Sequence, residues 1–260
     1  MSSTKPAMES ASSIHYRYQI PKLADVQIQG GFWQQWQTAI REGSIPSVLD
    51  FLKSTGRIDA IKLDWKPGDE PKPHYFWDSD VAKWIEAAAY SLVHHPDDDL
   101  MAEVDAIVDL YAAAQGEDGY INSYFAVVEP ENRWVNLRDW HELYCAGHMM
   151  EAAVAYAENC SKTKFLKIMC RYADYIDNEF GPEEDKKQGY PGHEEIELAL
   201  IRLGEYTGEE RYLKLAQYFI NQRGQEPHYY TQEAVNRGVD PNDWHWVTVD
   251  DEVSKVDYRY

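Results

Sequence analysis

A helical-hairpin unit recurs three times along this chain, and that recurrence constrains the fold more than any other feature. Glu86-Ala-Ala-Ala-Tyr90, Glu151-Ala-Ala-Val-Ala-Tyr156 and Glu197-Leu-Ala-Leu-Ile-Arg-Leu-Gly-Glu-Tyr206 each end one amphipathic helix. Each is followed by a short polar turn, at 95–100, 161–166 and 207–213, and then by a second amphipathic helix. Val81, Trp84, Ile85, Ala88 and Leu92 fall on one helical face, and Leu100, Val104, Ile107, Val108 and Tyr111 form the next stripe. A hairpin of this kind cannot bury its stripe alone and stacks on its neighbours. The expectation is an all-α fold, part of a helical ring or solenoid, with function on the concave face.

The periodicity runs without a Gly/Ser-rich linker from about residue 78 to residue 223, which points to one domain. The expected organisation is an N-terminal arm at 1–25, a helical-hairpin segment at 26–230 and an irregular tail at 231–260. A helix opening at Gly30-Gly-Phe-Trp33 reaches Leu52, with a break expected at Pro46. Residues 64–77 read as an ordered aromatic loop. Further helices are expected from Asp139 to Glu158, Phe165 to Phe180, His193 to Tyr206 and Glu210 to Arg223.

Composition excludes some partners. A formal charge of −20 argues against nucleic acid, which needs clustered Lys and Arg, and against anionic membrane surfaces. No apolar run approaches the roughly 18 residues that span a bilayer, and the first twenty residues lack the apolar core of a secretory signal. Cys145, Cys160 and Cys170 are isolated, as expected of reduced thiols in a cytoplasmic protein.

Three stretches could carry chemistry. In His141-Glu142-Leu-Tyr144-Cys-Ala-Gly-His148-Met-Met-Glu151, residues 141, 144, 148 and 151 share one helical face. His141, at the helix mouth, is the better functional candidate; His148 reads as a satisfied core histidine. Glu142 also completes a capping box with Asp139. Gly189-Tyr-Pro-Gly-His193-Glu-Glu-Ile-Glu197 places a second histidine at a helix start, with Glu194, Glu195 and Glu197 as first-turn acids. Asp78-Ser79-Asp80 puts two carboxylates beside the aromatic loop, where Asp78 or Ser79 also suits an N-cap and both acids suit a polyhydroxyl ligand. His94-His95-Pro-Asp-Asp-Asp99 reads as a turn capping the next helix.

At these residues the chain resembles glycoside hydrolase family 127, the β-L-arabinofuranosidase family. The resemblance is carried by Gly31-Phe-Trp33, Asp78-Ser-Asp-Val-Ala-Lys-Trp84, Asp118-Gly-Tyr-Ile121, His141-Glu-Leu-Tyr144, Gly147-His-Met-Met-Glu151, Phe180-Gly-Pro-Glu-Glu184, Gly192-His-Glu-Glu-Ile-Glu197, Tyr206-Thr-Gly208 and Arg223-Gly-Gln225, in order over about residues 25–230. It implies an (α/α)6 toroid, of which this chain would hold part. It also implies a retaining glycosidase whose nucleophile is a zinc-held cysteine thiolate, with a glutamate as acid/base, and histidines that hold the furanose. Two of those histidines match His141 and His193.

The family's cysteine pair and its acid/base glutamate have no match here, so the expectation is no catalytic residue, no metal ligand and no cofactor in this chain, with zinc implied only for the complete family enzyme. The chain then reads as an N-terminal piece of the toroid that is inactive alone, with an L-arabinofuranoside-like carbohydrate as ligand. The candidate substrate-binding residues are His141, His193, Asp78, Asp80 and Tyr144. Just over half a ring leaves an apolar edge open to self-association. Two other readings stand beside this one: a non-catalytic sugar-binding or scaffold protein, and another toroid enzyme such as a sugar epimerase or unsaturated-uronide hydrolase.

Overall fold

The computed structural model describes residues 21–241. Its centre is the three expected hairpins: α4 (Trp77–His94) with α5 (Asp98–Ala114), α6 (Glu142–Cys160) with α7 (Lys164–Glu179), and α8 (Ile196–Thr207) with α9 (Glu210–Gln222). Helices α4, α6 and α8 lie side by side as an inner row, and α5, α7 and α9 form a second row behind them. This two-row stack is a partial (α/α)6 toroid. Asp97 caps α5, accepting the N–H groups of Asp99 and Leu100 at 3.0 Å, and Gly208 ends α8 at φ 78°.

Helix α6 is the most buried element, from Glu142 to Ala157, with only Tyr144 and His148 partly open. Its small residues Ala146, Gly147, Ala152, Ala153 and Ala155 let α4 and α8 approach closely from both sides. At the far end of the same row, Arg202 of α8 pairs with Glu151 of α6 and lies 3.4 Å from Glu86 of α4. One guanidinium thus ties three consecutive inner helices.

Several local expectations are corrected. The N-terminal helical segment is interrupted before Pro46 rather than at it: α1 (Gly31–Ala39) passes through a π turn at Ile40–Ser44 into α2 (Ile45–Ser54). Pro46 sits in the first turn of α2, directly after the π turn. A short α3 (Arg57–Ala60) follows. Helix α4 begins at Trp77 with Phe76 at its N-cap, so neither Asp78 nor Ser79 caps it.

The chain beyond 231 is not irregular throughout, because α10 (Tyr229–Asn236) forms there. Eight residues are too few to display a period, and the helix is held by burial of Tyr230, Glu233 and Ala234. At the other end, Leu23–Asp25 forms a 3-10 turn whose Leu23 carbonyl lies 3.0 Å from His94 Nε2. The rest of the expected arm (1–20) and of the tail (242–260) lies outside the described residues.

Among the described residues no strand forms, only an isolated bridge between Phe180 and Lys187. No described helix is long and apolar enough to cross a membrane. Large apolar side chains are exposed at both ends of the row: Phe32, Trp33, Trp36, Val48 and Phe51 on α1 and α2, and Leu198, Ile201 and Ile220 on α8 and α9.

Candidate functional site

The site is built where the N-terminus of α6 meets the turn that precedes α8. His141 is the N-cap residue of α6 and adopts φ 60°, a left-handed conformation unusual for a side chain with a Cβ. Such strain persists only where the surroundings impose it, and it concentrates at functional positions. Here it places Nδ1 2.6 Å from the Asp139 carbonyl oxygen. A carbonyl only accepts, so Nδ1 carries the hydrogen and Nε2 is the acceptor nitrogen. Burial, reinforced by the neighbouring His193 imidazole, pushes the His141 pKa down to about 4, which keeps the ring neutral near pH 7.

His193 does not begin α8, as expected; it stands three residues ahead of Ile196, exposed on a turn. Its ring nonetheless meets His141 edge to face at 4.8 Å, and Tyr144 at 5.3 Å. Tyr144 lies 5.5 Å from His141, and Tyr75 of the aromatic loop stacks on His141 at 5.7 Å. The structure therefore brings His141, His193 and Tyr144 into one cluster.

The wall below them was foreseen only in part, through the shared helical face of residues 141, 144 and 148. Lys83 of α4 donates to the Tyr144 hydroxyl at 2.8 Å. His148, read as a core histidine, lines the cluster: its ring faces Tyr144 at 4.5 Å and its Nδ1 is 3.0 Å from Glu195. Glu194 and Glu195 precede α8 instead of lying in its first turn. Glu197 is in that turn, but its buried carboxylate is bound to Arg223 at 2.7 Å.

Two buried carboxyls hold the loop that leads into His141. The expected capping box is absent, because Asp139 is engaged with Arg138 in a buried ion pair at 2.8 Å and His141 occupies the cap position. Glu142 instead accepts the Trp134 N–H and the Tyr120 hydroxyl, both at 2.6 Å, and burial raises its pKa to about 8. Glu233 of α10 accepts the Leu137 N–H at 2.8 Å, and burial pushes it up to about 7. No local pattern could reveal these pairings, since Glu233 is far from Leu137 in sequence.

Asp78 and Asp80 are held by partners of their own. Asp78 is buried, accepts the Ser123 N–H at 2.7 Å and is raised by burial to about 6, so it anchors the turn after Tyr120. Asp80 pairs with Arg57 at 2.9 Å, and that guanidinium lies over the Trp77 ring.

The described residues do not fit a zinc ion. No group of three or more His, Cys, Asp or Glu side chains converges among them. Cys145 is buried with its Sγ 3.5 Å from the Tyr75 carbonyl, while the Cys160 Sγ lies near the Ala89 carbonyl.

Known proteins share this chain's sequence pattern and fold. Residues 25–244 match the sequence model of the beta-L-arabinofuranosidase GH127 catalytic domain. A non-reducing end beta-L-arabinofuranosidase of Bifidobacterium longum is 46% identical over 181 residues, which are 68% of this chain and 27% of that protein. The crystal structure of a GH127 beta-L-arabinofuranosidase from Geobacillus stearothermophilus superposes with a TM-score of 0.80 at 45% identity, over 84% of this chain and 36% of that one. A second GH127 beta-arabinofuranosidase structure gives a TM-score of 0.74 at 32% identity, over 85% of this chain and 36% of the other. The chain thus spans about a quarter to a third of the length of these relatives.

Proposed function

Because the chain belongs to glycoside hydrolase family 127, the beta-L-arabinofuranosidase family, we propose that its inner face forms part of a pocket for an L-arabinofuranoside-type sugar. The observation that carries this reading is the edge-to-face meeting of His141 and His193 at 4.8 Å beside Tyr144. A furanose is a small ring with several hydroxyls. Imidazole nitrogens and a phenol supply hydrogen-bonding edges for such groups, and the aromatic faces of Tyr75 and Tyr144 supply apolar surface for its C–H groups.

We further propose that this chain alone holds the sugar without cleaving it. A thiol attacks as its thiolate, and burial raises the Cys145 thiol well above its ordinary range; Cys160 and Cys170 are also raised. None of the three is poised as a nucleophile. The apolar ends of the row, with Trp33 and Trp36 at one and Leu198 and Ile201 at the other, make self-association the companion proposal.

The test is to titrate the purified full chain with L-arabinose in a calorimeter and to incubate it with an aryl β-L-arabinofuranoside, with and without zinc. Saturable binding without release of the aryl group is the expected result. Turnover would overturn the non-cleaving reading, and absence of any pentose-dependent heat would overturn the pocket.

A further inference from the structure

We propose that His148 and Glu195 are a positioning pair that fixes the orientation of His193. The proposal deepens the pocket reading, and depends on it only for the ligand-binding part of its test.

His193 is exposed on a non-helical turn, and its ring meets those of His141 and Tyr144. A side chain so placed holds one orientation only if the backbone that carries it is fixed on both sides. On the near side, the Gly192 N–H donates to the Leu137 carbonyl at 3.1 Å. The glycine also lies against the backbone of Arg138, where a Cβ would stand 2.0 Å from the carbonyl oxygen.

The far side is held by Glu195. Its N–H donates to the His193 carbonyl at 3.0 Å, and its carboxylate lies 3.0 Å from His148 Nδ1. Helix α6 is cut to receive it: at Gly147, beside His148, a Cβ would come within 2.7 Å of Glu195 Cγ and 2.9 Å of the Ile196 nitrogen. The glycine admits the turn and the histidine fastens it.

The contacts close on themselves. His148 faces Tyr144, Tyr144 faces His193, His193 is bonded through its carbonyl to Glu195, and Glu195 returns to His148. A single partly exposed side-chain contact adds little to global stability. Two residues from a candidate ligand-binding imidazole, it acts locally. Glu195 and His148 are thus positioning residues, acting through His193.

The test uses the full chain and the variants E195A, E195Q, E195D and H148A. The readouts are the imidazole C–H resonances of His193 and the exchange of the Glu195 amide, neither of which requires ligand. E195A and H148A are expected to shift and broaden the His193 signal and to speed the amide exchange, with little change in thermal midpoint. E195Q, which keeps an acceptor oxygen for Nδ1–H, is expected to preserve both. Should E195A fail to fold, E195D withdraws the carboxylate by one methylene and is expected to perturb the same signal.

In a pentose titration, E195A is expected to weaken binding about five- to ten-fold in the wild-type background and not at all in H193A, because the two act as one unit. An unchanged His193 signal in the alanine variants, or in E195D if that is the variant that folds, would overturn the proposal, as would an equal loss in the H193A background. A wild-type chain that binds no pentose would overturn the pocket reading instead, leaving the spectroscopic readouts to decide this one.

Discussion

Gly192 donates its N–H to the Leu137 carbonyl at 3.1 Å, and so joins the turn that carries His193 to the loop that leads into His141. The contact is possible only without a side chain at 192, since the neighbour is the unyielding backbone of Arg138. The Gly192→Ala variant is therefore expected to lose about 1–3 kcal/mol of stability, measured by urea unfolding. It is also expected to lose pentose binding even at temperatures where it remains folded. A variant of wild-type stability and affinity would show that the two loops are not in contact.

The proton balance of His141 makes a second prediction. Its folded pKa of about 4 lies below the unfolded value of about 6.5, so between these pH values the unfolded chain binds more protons than the folded one. Stability from this group is present above pH 6.5 and is lost as the pH falls toward 4. Titration of the His141 C–H resonance should show a neutral ring down to about pH 5, and H141N should flatten the acid limb of the stability curve. A midpoint near 6.5 would contradict the burial and the His193 contact.

Glu142 behaves with the opposite sign. Its pKa is raised to about 8 in the folded chain, above the unfolded carboxyl, so its contribution is complete at low pH and is lost as the pH rises through 8. E142Q copies the neutral acid: its carbonyl accepts the Trp134 N–H while its amide donates to the Tyr120 hydroxyl. The variant is expected to match wild type below about pH 4 and to exceed it by a margin that grows up to about pH 8, whereas E142A leaves the Trp134 N–H unpaired and loses about 1–3 kcal/mol. Melting curves across that range check both, and a wild-type curve with no alkaline decline would refute the assignment.

The open ends of the helix row lead to a prediction about assembly. Phe32, Trp33 and Trp36 stand more than half exposed on α1, at 61%, 67% and 53%. Sedimentation velocity is expected to show concentration-dependent association that a Trp33→Ser, Trp36→Ser double variant weakens. A monomer at all concentrations would remove self-association from the account.

The hairpins were legible because each helix carries its own period: the stripe from Val81 to Leu92 declares α4 without reference to anything else in the chain. His141 and His193 could be placed together for the same reason, since both precede helices of one inner row. What stayed hidden depends on partners distant in sequence. Glu142 read as half of a capping box because Asp139 stands three residues before it, but Asp139 is claimed by Arg138 and Glu142 by Trp134 and Tyr120. His148 looked like a core residue because apolar neighbours surround it in sequence, while its partner Glu195 belongs to another hairpin. The left-handed backbone at His141 has no sequence signal at all, since histidine tolerates that region without demanding it.

The central claim is that two imidazoles from neighbouring hairpins form one sugar-binding wall, and calorimetric titration with methyl β-L-arabinofuranoside tests it most directly. Wild type is expected to give saturable heat, with an affinity that His141→Ala and His193→Ala each sharply weaken, while both variants keep the helical content of the parent. Equal heats in all three proteins, or none in any, would contradict the account.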